Sequence, residues 1–243
     1  MTDAHCHVSC GDPSVRELLI GRDFFGIHPW ETIDGTDGTT KIDGTRSALV
    51  PDVPVVPDVP FLATLLVALR ATLLANPNAG VGEIGLDRLK VRDIPPIMRE
   101  VFEAQLALAI EFRRPVVLHG AKCWGQVVEA VRRARMSGTL LFHGFSRSDG
   151  LIPDIVALGG FISVGPAVLN DHAVNYRALV KKIPLDRLLI ETDRTSGTDE
   201  TLPTASYQLR AILAKTAEII GVSAEELEKV TDENAEKFFG ASL

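Results

Sequence analysis

Apolar and polar positions along this chain fall into two alternating periods. Short runs such as "GVGEIG", "PVVLH", "TLLFH", "GFISVG" and "RLLIETD" are continuously apolar or β-branched, as strands buried on both faces are. Between them lie stretches of helical period: "PPIMREVFEAQLALAIEFR", "WGQVVEAVRRARM", "LIPDIVALG", "HAVNYRALVKKI" and "ASYQLRAILAKTAEII". A last helix, "SAEELEKVTDENAEKFFG", opens with an S-x-x-E capping box at Ser223 and Glu226. Strand–helix alternation of this kind builds βαβ units around a parallel sheet. With "TDAHCH" and "DFFGI" added, about seven strands are counted, against the eight of a closed barrel.

The pattern breaks near the N-terminus. "PSVRELLIG" reads as a short helix and "RDFFGIHPW" as a strand ending in His28. From residue 31 to residue 60, "DGTDGTTKIDGT" and "PDVPVVPDVP" are too rich in Gly and Pro for helix or central strand, which predicts a long loop, a flap over a site. "FLATLLVALRATLLA" (61–75) reads as an amphipathic, mostly buried helix; Arg70 interrupts it, and it is too short to span a bilayer. The expectation is an α/β, TIM-barrel-like fold over 1–243 as a single domain, short of one βα unit between Val8 and Ile27.

Composition narrows the function. A formal charge of −7 speaks against a protein that coats nucleic acid through a basic surface. Three cysteines without a C-x-x-C pair predict free thiols in a reducing compartment, and no charged-then-apolar leader is seen, so a cytoplasmic location without membrane attachment is expected.

The candidate chemistry lies at the strand ends. "VGE" stops at Glu83, "VVLH" at His119, "LLFH" at His143 and "LLIETD" at Asp193, while the first strand offers His5 and His7. Barrel strands converge with their C-terminal ends on one face, so six ligand-type side chains would meet there. Strand alternation sends His5 and His7 to one side and Cys6 to the other, where it packs behind the strand. A single histidine would be more readily a satisfied core or surface residue, but six such residues at strand ends are not explained that way.

The motifs "DAHCH", "GIHPW", "VGEIGLD", "RPVVLH", "LLFHGF" and "IPLDRLLIETD", in this order, resemble those of the TatD-type metal-dependent deoxyribonucleases of the amidohydrolase-like barrel superfamily. The resemblance runs from Asp3 to Asp193. It implies that His5, His7, Glu83, His119, His143 and Asp193 hold divalent metal, commonly two ions bridged by the glutamate. The donor set of imidazole and carboxylate suits Zn, Mn or Mg. The implied activity is hydrolysis of phosphodiester bonds in DNA or a related substrate, with Asp193 taking a proton from the attacking water and Glu83 holding the ion spacing. Two departures from the family pattern are the short run from Val8 to Ile27 and "ETDRTSG", where a small residue and proline are usual.

Other residues carry two readings each. His28 either donates to a substrate phosphate or makes a structural contact beside Pro29; Trp30 either stacks on a base or covers the barrel rim. Asp87 reads as a cap or as a support behind the ligands, and Cys123 lies just past His119. Arg88, Lys122, Arg147 and Arg194 follow strand ends and could meet phosphates, although solvated charge is their ordinary role. Two competing functions use the same metal centre: a barrel hydrolase acting on a small ester, lactone or amide, and an inactive metal-binding scaffold. No stable protein partner is implied.

Overall fold

The computed structural model describes residues 1–34, 60–195 and 205–240. Eight strands are found among them: β1 (Thr2–Cys6), β2 (Arg16–Leu19), β3 (Phe24–Phe25), β4 (Gly80–Asp87), β5 (Val116–Ala121), β6 (Leu140–Phe142), β7 (Phe161–Val164) and β8 (Leu188–Ile190). All paired neighbours run parallel, β1 with β2 and then β3 through β8 in chain order. Backbone hydrogen bonds join the two sheets at both seams. Ile20 bridges Phe24 between β2 and β3, and the Asp193 N–H donates to the His5 carbonyl at 3.0 Å between the end of β8 and β1. The ring of strands therefore closes.

This corrects the expectation for the N-terminal region. "PSVRELLIG" contains strand β2, because pairing with β1 buries Glu17, Leu18 and Leu19 and outweighs their local helix preference. Glu17, which a surface helix would leave in water, accepts hydrogen bonds from Ser9 Oγ and the Cys10 N–H and so holds the β1–β2 connection. What is shortened is the outer layer: among the described residues no helix follows β1 or β2.

The helices elsewhere are α1 (Glu31–Asp34), α2 (Pro60–Ala75), α3 (Pro96–Phe112), α4 (Trp124–Arg133), α5 (Ile152–Ala157), α6 (Val174–Val180), α7 (Ala205–Ile220) and α8 (Ala224–Phe239). The expected loop over 31–60 is corrected at its ends, since residues 31–34 are helical and Pro60 opens α2; residues 35–59, and with them the flap, lie outside the described residues. α2 is a helix as expected but not a mostly buried one. Leu69 and Leu73 are buried, while Val67 and Leu74 are 67% and 64% exposed. α8 begins as predicted, with Ser223 Oγ accepting from the Glu226 N–H at 3.0 Å.

Two apolar clusters support the ring. The larger lies between the strands and the helices, where Val116, Leu118, Phe142 and Ile190 meet Phe102, Leu106, Val127 and Leu209. The smaller joins Val117, Leu141, Phe161 and Leu189 to Phe24, Phe238 and Phe239. By alternation Val117 shares a face with His119, Leu141 with His143, and Leu189 with Glu191. The smaller cluster is thus the layer under the candidate ligands. The end of α8 plugs it from below: the rings of Phe24 and Phe239 are 5.0 Å apart, and those of Phe161 and Phe238 6.1 Å.

Candidate metal centre

Glu83 is the hub. It projects from β4, buried, with its two oxygens serving different neighbours. Oε1 lies 2.6 Å from His143 Nε2 and in hydrogen-bond contact with His119 Nδ1. Oε2 lies 3.5 Å from both His5 Nε2 and His7 Nε2. Asp193, just past β8, faces the second pair, with Oδ1 at 3.4 Å from His5 and 3.8 Å from His7. All six strand-end residues expected from the sequence converge, and the period-two argument holds, for Cys6 is buried with its thiol toward the Leu18 carbonyl.

Three donor groups have ligand atoms within 4.8 Å of one another: His5, His7 and Asp193; His5, Glu83 and His143; and His28, Glu83 and His119. The residues present fit a divalent cation. Both ring nitrogens of His5, a fully buried side chain, and Nδ1 of His143 have no hydrogen-bond partner among the described residues. Buried polar atoms in that state are costly unless something else completes them. Imidazole nitrogen and carboxylate oxygen form a donor set suited to Zn or Mn.

In the metal-free protein the charges of the cluster hold one another. Burial opposes ionisation of Glu83, but the neighbouring His143 and His119 outweigh it and keep the carboxyl well below its usual range. Burial likewise opposes protonation of His5 and His119. For His5, the nearby carboxylates of Asp193 and Glu83 prevail and raise it well above its ordinary value. For His119, the charge of Glu83 and a hydrogen bond to Asp87 raise it to about 9. Asp193 is lowered, because the closeness of His5 and the charge of His143 overcome its own desolvation.

Carboxylates behind the cluster hold it in place. Asp87 Oδ2 lies 2.8 Å from His119 Nε2, and its Oδ1 accepts from the Leu89 N–H, so it fixes the ring with Nδ1 facing inward. Asp87 therefore does both things read from the sequence. Glu191 accepts from the Gly144 N–H and from Ser163 Oγ, with Oε1 3.9 Å from His143 Nδ1. Asp3 accepts from the Thr192 N–H and hydroxyl, and burial pushes its carboxyl up to about 7. The strand-end pattern in the sequence does not single out Asp3 or Glu191. The signal available was parity: Asp3 is in step with His5 and His7, and Glu191 is in step with Asp193.

His28 reaches the cluster as well, with Nε2 3.7 Å from Glu83 Oε1. Its Nδ1 accepts the Trp30 N–H at 3.2 Å. A neutral imidazole whose Nδ1 accepts carries its proton on Nε2, so this ring offers the site a donor, where a metal ligand would need a lone pair. Trp30 packs edge-on to His28, and the Lys90 ammonium stands 4.0 Å from its ring centroid, which takes up one face of the indole. Cys123 follows the ligand strand but turns away from the site. It is buried, its thiol donates to the Leu86 carbonyl at 3.1 Å, and burial pushes it up to about 12.

With this geometry in view, comparison with known proteins is specific. A family model described as TatD related DNase matches residues 22–240. The Bacillus subtilis protein named "uncharacterized metal-dependent hydrolase YabD" is 31% identical over 165 residues, covering 65% of this chain and 64% of that protein. A 3′-5′ ssDNA/RNA exonuclease TatD of Klebsiella pneumoniae is 31% identical over 183 residues, covering 71% and 69%. Among solved structures, the TatD homolog YjjV of Escherichia coli superposes with a TM-score of 0.67 at 23% identity, covering 95% of this chain and 78% of that one, which shows the shared fold. The match to the first of these relatives thus spans slightly under two thirds of its length, and that to a Haemophilus influenzae metal-dependent hydrolase 45%. The family match begins after β2, so only the folded geometry joins His5 and His7 to the residues it contains. With that match running from residue 22 to the end of α8, the chain belongs to the TatD related DNase family.

Proposed function

We propose that residues 1–243 form one barrel domain that hydrolyses phosphodiester bonds in nucleic acid, using divalent metal held by His5, His7, Glu83, His119, His143 and Asp193. The observation that carries this reading is the division of Glu83, one oxygen toward His119 and His143 and the other toward His5 and His7, as a carboxylate between two ions would be. The nuclease names of relatives such as the Klebsiella protein support the substrate class. Bound metal would supply charge neutralisation at a phosphate oxygen and an acidified water.

The chain's own residues do the rest. Asp193 has a side chain 44% exposed, open to the mouth of the site, and its lowered carboxyl is ionised at neutral pH and ready to accept a proton at Oδ1 from an attacking water. His28 presents Nε2–H to a non-bridging phosphate oxygen. Asp87 keeps His119 from turning, and Glu191 fixes the backbone just past His143 through the Gly144 N–H. The layer of Val117, Leu141 and Leu189 closes the site from below against water.

The test is metal analysis of the purified protein followed by turnover of single-stranded and duplex DNA with Mg, Mn or Zn. Activity abolished by a chelator, and lowered roughly 10²–10⁴-fold in Asp193→Asn while metal still binds, is the expected result. Full activity in Asp193→Asn would refute the role of that carboxylate. Turnover of a lactone or small ester with none on DNA would favour the other barrel hydrolase reading, and bound metal with no turnover the scaffold.

A further inference from the structure

Beside the candidate metal centre, beyond the ends of β6 and β7, lies a cavity of about 450 Å³. It falls within the size range of small-ligand sites. One wall is Ser146 and Arg147, which follow His143 by three and four residues. The segment that carries a candidate ligand therefore also carries the wall of the cavity, and Glu191 anchors it through the Gly144 N–H at 2.7 Å. The opposite wall comes from the chain after β7 and from α6, with Ala167, His172, Asn175 and Tyr176. Tyr176 is held in place by accepting the Gly165 N–H at 3.1 Å. The cavity is thus formed by parts that the backbone already fixes.

Arg147 sets the chemistry. Three cations of neighbouring segments are matched by acids: Arg177 by Asp171, Lys182 by Asp149, and Arg132 by Asp154 and Glu129. Arg147 is exposed at the cavity and has no carboxylate within ion-pair distance among the described residues. Its backbone is left-handed, with φ of 62°, a conformation that favours glycine and is uncommon for a long side chain. The chain thus keeps an unmatched guanidinium where its own backbone would favour no side chain, in a protein of net charge −7. A guanidinium fork binds phosphate with two parallel hydrogen bonds, and the Ser146 hydroxyl and Asn175 amide stand on the same walls to add to it. Ala167 and the rings of His172 and Tyr176 offer flat and apolar surface to a sugar or base.

We propose that this cavity is a subsite for the nucleotide next to the scissile phosphate, with Arg147 holding the adjoining phosphate, so that the enzyme selects a nucleic-acid strand over a small phosphodiester. The inference rests on the phosphodiesterase reading and adds to it the requirement for at least two phosphates.

The experiment compares bis(p-nitrophenyl) phosphate with a single-stranded oligonucleotide as substrates for the metal-loaded wild type, Arg147→Gly and Val174→Trp. Glycine suits the left-handed backbone, so Arg147→Gly is expected to melt no lower than wild type. The ratio of kcat/KM for the oligonucleotide to that for the small diester should fall at least tenfold, mainly through KM. The slope of log KM against log salt should also decrease by about 0.7, the loss of one phosphate contact to a single strand. Val174→Trp, which fills the cavity and keeps the charge, should lower the same ratio. An unchanged ratio and salt slope in Arg147→Gly would overturn the subsite, as would equal losses on both substrates. A wild type that cleaves the small diester but no oligonucleotide also overturns it and leaves the phosphodiesterase reading standing; a wild type that cleaves neither removes the reading beneath both.

Discussion

Changing Asp87 to asparagine keeps the side chain's shape and removes one acceptor from behind His119. In the native protein Oδ2 faces His119 Nε2 at 2.8 Å while Oδ1 accepts the Leu89 N–H. An asparagine has one acceptor oxygen and one amide donor, so in either orientation an NH₂ group confronts an N–H. The Leu89 contact is local to the turn and will keep the oxygen, which leaves the histidine facing the amide. His119 then loses the partner that fixes its tautomer and turns Nδ1 toward Glu83. Removing such a partner from a ligating histidine costs about 10–100-fold in metal affinity, or roughly 1.4–2.8 kcal/mol. The assay is competition between the metal-free protein and a chromophoric zinc chelator, with circular dichroism to confirm an unchanged fold. Turnover at saturating metal should recover most of its native value. A metal affinity within twofold of wild type would refute the claim that Asp87 orients a ligand.

Two further outcomes follow from other parts of the structure. Phe238→Ala removes the ring that fills the base of the barrel between Phe24 and Phe161, and should destabilise the protein by about 3–5 kcal/mol in chemical denaturation while leaving metal affinity near native, since the ligands stand at the opposite end. In the metal-free protein His119 is raised from 6.5 to about 9, so its contribution to stability is fully present below pH 6.5 and is lost as pH rises through 9. That window corresponds to about 3 kcal/mol at 1.36 kcal/mol per unit. The melting temperature of the metal-free protein should therefore fall from pH 6.5 to 9, whereas the increment on adding zinc should grow over the same range, because protons no longer compete for the ligands; a metal increment that shrinks with rising pH would contradict the ligand assignment.

Much of the barrel was legible in the chain because each inner strand is a continuous apolar run with a chemical residue at its end. Glu83, His119, His143 and Asp193 could be placed on one face from that regularity alone. β2 was misread because "RELL" is locally as good a helix as a strand, and what decides it is pairing with β1, which no local window contains. The short run from Val8 to Ile27 predicts a missing strand–helix pair, yet the strand is present as β2 and only a helix is lacking there among the described residues. α2 was read as mostly buried from its leucines, although the direction in which Val67 and Leu74 point depends on its neighbours rather than on its own period. Asp3 and Glu191 are not legible in the same way, because each depends on a partner distant in sequence, and side-chain spacing does not report it.

The seam between β8 and β1 has a further consequence. His5 and His7 stand at the end of the first strand and Asp193 just past the last, so this half of the candidate centre comes together only when the barrel is complete. A cation there would act as a removable crosslink, tying together strands that chain entropy would otherwise separate. Because it would bind the folded barrel and not the open chain, metal at one hundred times its dissociation constant would add about 2.7 kcal/mol to stability. The ion that serves the chemistry would then also be the fastener of the fold, and a cell short of metal would hold a protein that is less durable as well as inactive.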